Sequence, residues 1–142
     1  MESYCEARRR VLMKAKSHNI ILCVDDETAG LSVRQAVLES QGYRVLTANN
    51  GRDALKIFSS EAIDLVILDY SMPEMDGQAV AEEMKRLKAD VPIVMLSAYV
   101  NLPRETVALV DRCLTKGEPT PVLLGTISNL LQDQDGRSTS VR

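Results

Sequence analysis

Ile67-Leu68-Asp69-Tyr70-Ser71-Met72-Pro73-Glu74-Met75-Asp76-Gly77 is the stretch on which the fold of this 142-residue chain turns. An apolar run of strand length ends in a carboxylate, and the loop after it is kept open by Pro73 and Gly77. In parallel α/β sheets, ligands bind at the C-terminal ends of the strands. Asp69 stands at such an end, which makes it a candidate for chemistry.

Upstream, Ile20-Ile21-Leu22-Cys23-Val24 runs straight into Asp25-Asp26-Glu27. If these two strands are neighbours in one sheet, the carboxylates of Asp25, Asp26 and Asp69 converge, and like charges that close do not all ionise without a cation among them. A divalent metal is the simplest remedy. An all-oxygen donor set favours Mg²⁺ over zinc. Two further strand ends complete the set: Ser97 after Val91-Pro92-Ile93-Val94-Met95-Leu96, and Lys116 after Cys113-Leu114-Thr115. Acid, acid, hydroxyl and amine at successive strand tips suit a tetrahedral anion on Asp69, with Ser97 donating a hydrogen bond and Lys116 supplying positive charge.

Outward from these motifs, apolar runs alternate with segments of helical period, the pattern of βα units and a parallel sheet. Five strands are expected, at about 20 to 25, 43 to 48, 63 to 68, 91 to 96 and 112 to 115. The first, third and fourth are almost wholly apolar, as strands covered on both faces should be, whereas the second is mixed and suits an edge. A first helix starts near Thr28, carries Leu31, Ala36, Val37 and Leu38, and ends at Gly42. Asn50 caps a second helix with Ala54, Leu55 and Phe58, Gly51 easing the turn. Val80, Met84 and Leu87 give a third helix an inward stripe. Pro103 to Val110 is a fourth helix of barely two turns. Thr120 as N-cap and Pro121 at N1 open the last, with Leu123, Ile127, Leu130 and Leu131 on one face.

Length and composition fit one domain, residues 19 to 132, between a basic extension (1 to 18) and a flexible polar tail (133 to 142). Apolar residues make up 45% and charged residues 26%, a globular balance, with one Phe and no Trp, so the core is expected to be aliphatic. The net charge of -3 gives no reason to expect nucleic acid as a partner. Cys5, Cys23 and Cys113 lack a disulfide or zinc spacing, and Cys23 reads as a small buried hydrophobe. The extension holds Arg8, Arg9, Arg10, Lys14, Lys16 and His18, but no apolar segment for a signal peptide or membrane span follows, so a cytoplasmic protein with no membrane partner is expected.

At Asp25-Asp26, Leu68-Asp69-Tyr70-Ser71-Met72-Pro73, Asp76-Gly77, Ser97-Ala98 and Thr115-Lys116, the chain resembles the response-regulator receiver family of two-component signalling. The resemblance covers roughly residues 19 to 132 and implies a flavodoxin-like, doubly wound five-stranded parallel sheet of order 2-1-3-4-5. It implies a phosphoacceptor Asp69, taking its phosphoryl group from a sensor histidine kinase or a histidine phosphotransfer protein. By the same resemblance, Asp26, Asp69 and the carbonyl of Ser71 bind Mg²⁺, Asp25 acts mainly through water, and Ser97 and Lys116 contact the phosphate. A stand-alone receiver is expected, one that assists its own phosphotransfer and autodephosphorylation and signals to an unknown downstream protein by contact.

Two departures fall on one face. Receivers usually carry an aromatic residue three positions before the lysine, where Cys113 stands here, and a proline after it, where Gly117 stands. The output surface is therefore expected to be atypical, with Tyr99 as a substitute mobile aromatic. Two rival functions follow: a receiver-like module that works without phosphorylation, and an aspartyl-phosphate Mg²⁺-dependent phosphatase. The second usually has an acid two residues after the nucleophile, where this chain has Ser71.

Overall fold

The computed structural model describes residues 19–140, and side chains as far as Asp133. The basic extension, with Cys5 and His18, lies outside the described residues. The strands are β1 (Ile20–Val24), β2 (Arg44–Ala48), β3 (Leu65–Asp69), β4 (Ile93–Ser97) and β5 (Arg112–Thr115). The helices are α1 (Thr28–Ser40), α2 (Gly51–Ser60), α3 (Gly77–Leu87), α4 (Arg104–Leu109) and α5 (Thr120–Ser140). All strand pairs are parallel, in the order β2-β1-β3-β4-β5. The expected fold class and strand order are those observed.

Alternation along the strands builds two cores. Leu22, Val24, Val66, Leu68 and Met95 face one side, where Ala54 and Phe58 of α2 and Val80, Ala81 and Met84 of α3 cover them. Ile21, Cys23, Leu65, Ile67, Val94 and Leu96 face the other, beneath Leu31 and Leu38 of α1 and Ile127, Leu130 and Leu131 of α5. Strands β1, β3 and β4 are thus apolar up to the polar tips Asp69 and Ser97 because both faces are covered. Cys23 is fully buried, and burial pushes its thiol pKa up to about 12, so it packs as a hydrophobe.

Local chemistry sets the helix ends. Asn50 Oδ1 accepts the Asp53 N–H at 2.8 Å, and Asp76 Oδ1 accepts the Ala79 N–H at 2.9 Å, each satisfying a donor the helix cannot. Gly42 follows α1 with φ of 95°, a left-handed turn that glycine takes without strain. The six-residue α4 is tied down through buried Thr106, whose Oγ1 donates to Gln78 Oε1 of α3 at 2.5 Å.

Two local expectations are corrected. Leu87 is 41% exposed, because the inward stripe of α3 ends one turn earlier at Met84. Gly51 does more than ease a turn: a Cβ there would lie 2.7 Å from Val80 Cγ2, so its missing side chain lets α2 meet α3. Among the described residues no helix is long and apolar enough to cross a membrane.

Candidate functional site

The strand order places β1 beside β3, in register up to the pair Val24 and Leu68. One residue further on, Asp25 and Asp69 stand side by side where the connections diverge to opposite ends of the sheet, the position at which such folds bind ligands. Carboxylate oxygens of Asp25, Asp26 and Asp69 lie within 4.8 Å of one another. Asp25 and Asp69 are buried, at 1% and 2% exposure, while Asp26 is exposed.

Lys116 reaches this cluster from the end of β5. Its Nζ lies 3.1 Å from Asp69 Oδ1, 3.3 Å from Asp25 Oδ2 and 3.8 Å from Glu27 Oε1. Its backbone N–H donates to Ser97 O at 2.8 Å, which fixes the end of β5 against β4. The Ser71 N–H donates to Asp69 Oδ1 at 3.3 Å, so both donors on Asp69 use the same oxygen. Asp69 Oδ2 is buried and has no hydrogen-bond partner.

The two buried acids titrate in opposite directions. Burial and the adjacent Asp25 charge push Asp69 up to about 6, against the pull of Lys116. Burial opposes the charge on Asp25 too, but the Glu27 N–H, Lys116 and Arg34 outweigh it and hold that carboxyl below the usual range. Burial works against the charge of Lys116, and hydrogen bonding to Asp69 with the fields of both acids raises it nonetheless. A carboxylate oxygen with no donor, inside an all-oxygen set of three acids, fits a small divalent cation: its charge would offset the repulsion that lifts Asp69.

The remaining expected residues divide. Ser97 is 2% exposed at the tip of β4, its Oγ accepting the Tyr99 N–H at 2.9 Å, in a turn that leaves Tyr99 63% exposed. Cys113 lies exposed on the edge strand β5, and partial burial raises its thiol pKa. Arg34 of α1 was absent from the sequence-derived set, yet its Nη1 donates to Asp25 Oδ2 at 3.4 Å. The signal was present in the spacing: Leu31, Arg34 and Leu38 fall at i, i+3 and i+7, one inward stripe.

Glycine and loop geometry hold Asp69 in place. The Gly77 N–H donates to Tyr70 O at 2.8 Å, and a Cβ on Gly77 would lie 2.5 Å from Asp69 O. Close approach to the backbone of β3 is what requires glycine there. Within the same loop Glu74 has φ of 69°, a left-handed conformation that strains a residue with a Cβ. Glu74→Gly should therefore stabilise the protein by about 0.5 kcal/mol after the entropy glycine adds to the unfolded chain, read as a raised urea midpoint of unfolding. A lowered midpoint would mean that the Glu74 side chain holds the loop.

The response regulator receiver domain family matches the sequence over residues 21–128. This chain is a receiver domain. It is 46% identical over 83 residues to a probable transcriptional regulator, ycf27, of Cyanidium caldarium, an overlap covering 58% of this chain and 33% of that relative. The chain spans 20% to 34% of the lengths of the curated relatives it matches. Among solved structures, it resembles the response regulator TrrA of Thermotoga maritima in complex with Mg²⁺-BeF, at 35% identity and a TM-score of 0.76, covering 79% of this chain and 98% of that one. The same regulator, solved with the histidine kinase ThkA, aligns at 36% identity with a TM-score of 0.75 over 80% of this chain and 98% of that one. A receiver of two-component response regulators is a signalling module; receivers bind Mg²⁺ at an acidic pocket, and the cluster of Asp25, Asp26 and Asp69 is consistent with one.

Proposed function

We propose that this receiver is a phosphorylation-dependent switch: Asp69 accepts a phosphoryl group from a phosphohistidine, on a sensor histidine kinase or a histidine phosphotransfer protein, and a downstream protein reads the result by contact. One observation carries the reading. Asp69 Oδ1 is occupied by Lys116 and the Ser71 N–H, whereas buried Oδ2 is free of donors and can act as nucleophile.

In the transfer, the Asp69 carboxylate forms a bond to phosphorus as the phosphorus–nitrogen bond breaks. The departing imidazole keeps the bonding pair, and the product is an acyl phosphate. Asp26, Asp69 and the Ser71 carbonyl would hold Mg²⁺, with Asp25 acting through water. When bound, the cation offsets charge between the acids and the phosphoryl oxygens. Lys116, already 3.1 Å from Asp69, turns to a phosphoryl oxygen, and Ser97 supplies a hydroxyl hydrogen bond from β4.

The added charge and acceptor oxygens would then favour a different arrangement of the α4, β5 and α5 face. Exposed Cys113 gives that face no aromatic lever, and Tyr99, tethered to Ser97 through its N–H, is the aromatic side chain next to the phosphate-contacting hydroxyl. Ser71 and Tyr99 flank the route for attacking water, so autodephosphorylation should respond to changes at both.

Incubation with Mg²⁺ and acetyl phosphate tests the reading. Wild type should gain one acid-stable, base-labile phosphoryl group and Asp69→Asn none. Sustained turnover of phosphate esters would mark a phosphatase instead. No modification and no beryllofluoride binding would mark a module that works without phosphorylation.

A further inference from the structure

Asp25 is the most enclosed acid of the site, and both oxygens of its carboxylate are engaged by protein. Its Oδ1 accepts the Glu27 N–H at 2.9 Å, and its Oδ2 is shared by Lys116 at 3.3 Å and Arg34 at 3.4 Å. The two cations are placed differently. Lys116 is divided among three carboxylates and follows the end of an edge strand, where the loop through Gly117 begins. Arg34 rises from the middle of α1, is 14% exposed at its side chain, and takes an inward position between buried Leu31 and Leu38 where the helix period calls for an apolar residue. A guanidinium at such a position is retained only against the cost of partly desolvating it. Its hydrogen bond to Asp25 is what offsets that cost.

We infer that Arg34 is a positioning residue which holds Asp25 in place while Lys116 leaves it for the phosphoryl group on Asp69. The inference rests on the proposed function and deepens it. In the resting protein Lys116 and Arg34 both hold Asp25. After phosphoryl transfer Lys116 is drawn to a new anion, and without Arg34 the buried Asp25 would pull it back. Arg34 also adds positive charge beside the acids, so it weakens their hold on a divalent cation while favouring the incoming anion. The structural role of a core residue would not produce this pair of opposed effects.

The test uses Arg34→Leu, which restores an apolar stripe and faces a cavity of about 340 Å³ bordered by Val33, Val37, Leu96 and Leu114. Calorimetric titration with Mg²⁺ alone should show affinity raised about 3- to 10-fold, as expected for removing one partly screened charge near the site. Titration with beryllofluoride at saturating Mg²⁺ should show affinity lowered by a similar factor. Arg34→Lys should recover most of both values. Constants that stay unchanged, or that fall together in Arg34→Leu, overturn the inference. Wild type that fails to bind beryllofluoride overturns the proposed function, and the Mg²⁺ titration of the variant then decides the role of Arg34 by itself.

Discussion

Gly77→Ala is expected to destabilise the protein by about 3 kcal/mol, roughly 10 °C in Tm, and to slow phosphorylation of Asp69 by about 100-fold. The added Cβ would stand 2.5 Å from Asp69 O, 2.8 Å from Tyr70 Cα and 3.0 Å from Met95 Sδ. Methionine can turn aside, but the other two atoms are backbone at the end of a central strand, held by the bond from Tyr70 N to Leu96 O at 2.8 Å. Either α3 must back away from the sheet or the segment bearing Asp69 must shift. The first choice opens the core under Val80 and Met84; the second moves the Asp69 carboxylate off its alignment with Lys116. Gly30→Ala in α1 and Gly125→Ala in α5 are the controls, because a Cβ at either meets nothing within 4 Å. Those two should leave stability unchanged or raise it by up to about 1 kcal/mol, through better helix propensity. Urea unfolding of all three variants measures the contrast. A Gly77→Ala protein as stable as wild type would mean that the approach of α3 to β3 is looser than 2.5 Å implies.

The contrast among these glycines shows where the sequence is readable and where it is not. Asp69, Asp25 and Asp26 could be found because strand-length apolar runs end on them, and an apolar run covered on both faces admits few readings. The parallel order of the sheet then follows from the alternation of strands and helices, and it brings two of those ends together. Ser97 and Lys116 were found by the same rule one and two strands away. Gly77 is legible in the sequence only as a loop glycine: an open loop and a close approach look identical in one sequence, and only the distance to Asp69 O separates them. Arg34 was passed over because a charged residue on a helix is ordinarily solvated, and its inward bearing depends on a partner acid that follows another element.

Asp69→Asn should stabilise the cation-free protein by about 2 kcal/mol at pH 7 to 8, on the order of 6 °C in Tm, and the gain should vanish as pH falls to 4. Burial and Asp25 raise the Asp69 pKa from its ordinary value of 3.8 to about 6 in the folded protein. A raised carboxyl binds its proton more tightly when folded than when unfolded, so it favours the folded state below both values and opposes it above both. Between pH 4 and 6 wild type therefore loses stability that the neutral variant keeps. The amide of an asparagine would also place an N–H₂ where Asp69 Oδ2 has no partner, next to the Asp25 carboxylate that raises its pKa. Comparing the two proteins cancels every other titrating group that the substitution leaves alone. Thermal melts with a chelator, at pH 4, 5, 6, 7 and 8, should show the two curves parting as Asp69 ionises. Saturating Mg²⁺ at pH 7.5 should close or reverse the gap, since a cation that binds only the folded protein stabilises it by mass action and needs the Asp69 charge to bind well. A difference that stays constant from pH 4 to 8 would place Asp69 at its ordinary pKa, and the crowding of two buried carboxylates would then not be the source of strain that a cation or a phosphoryl group relieves.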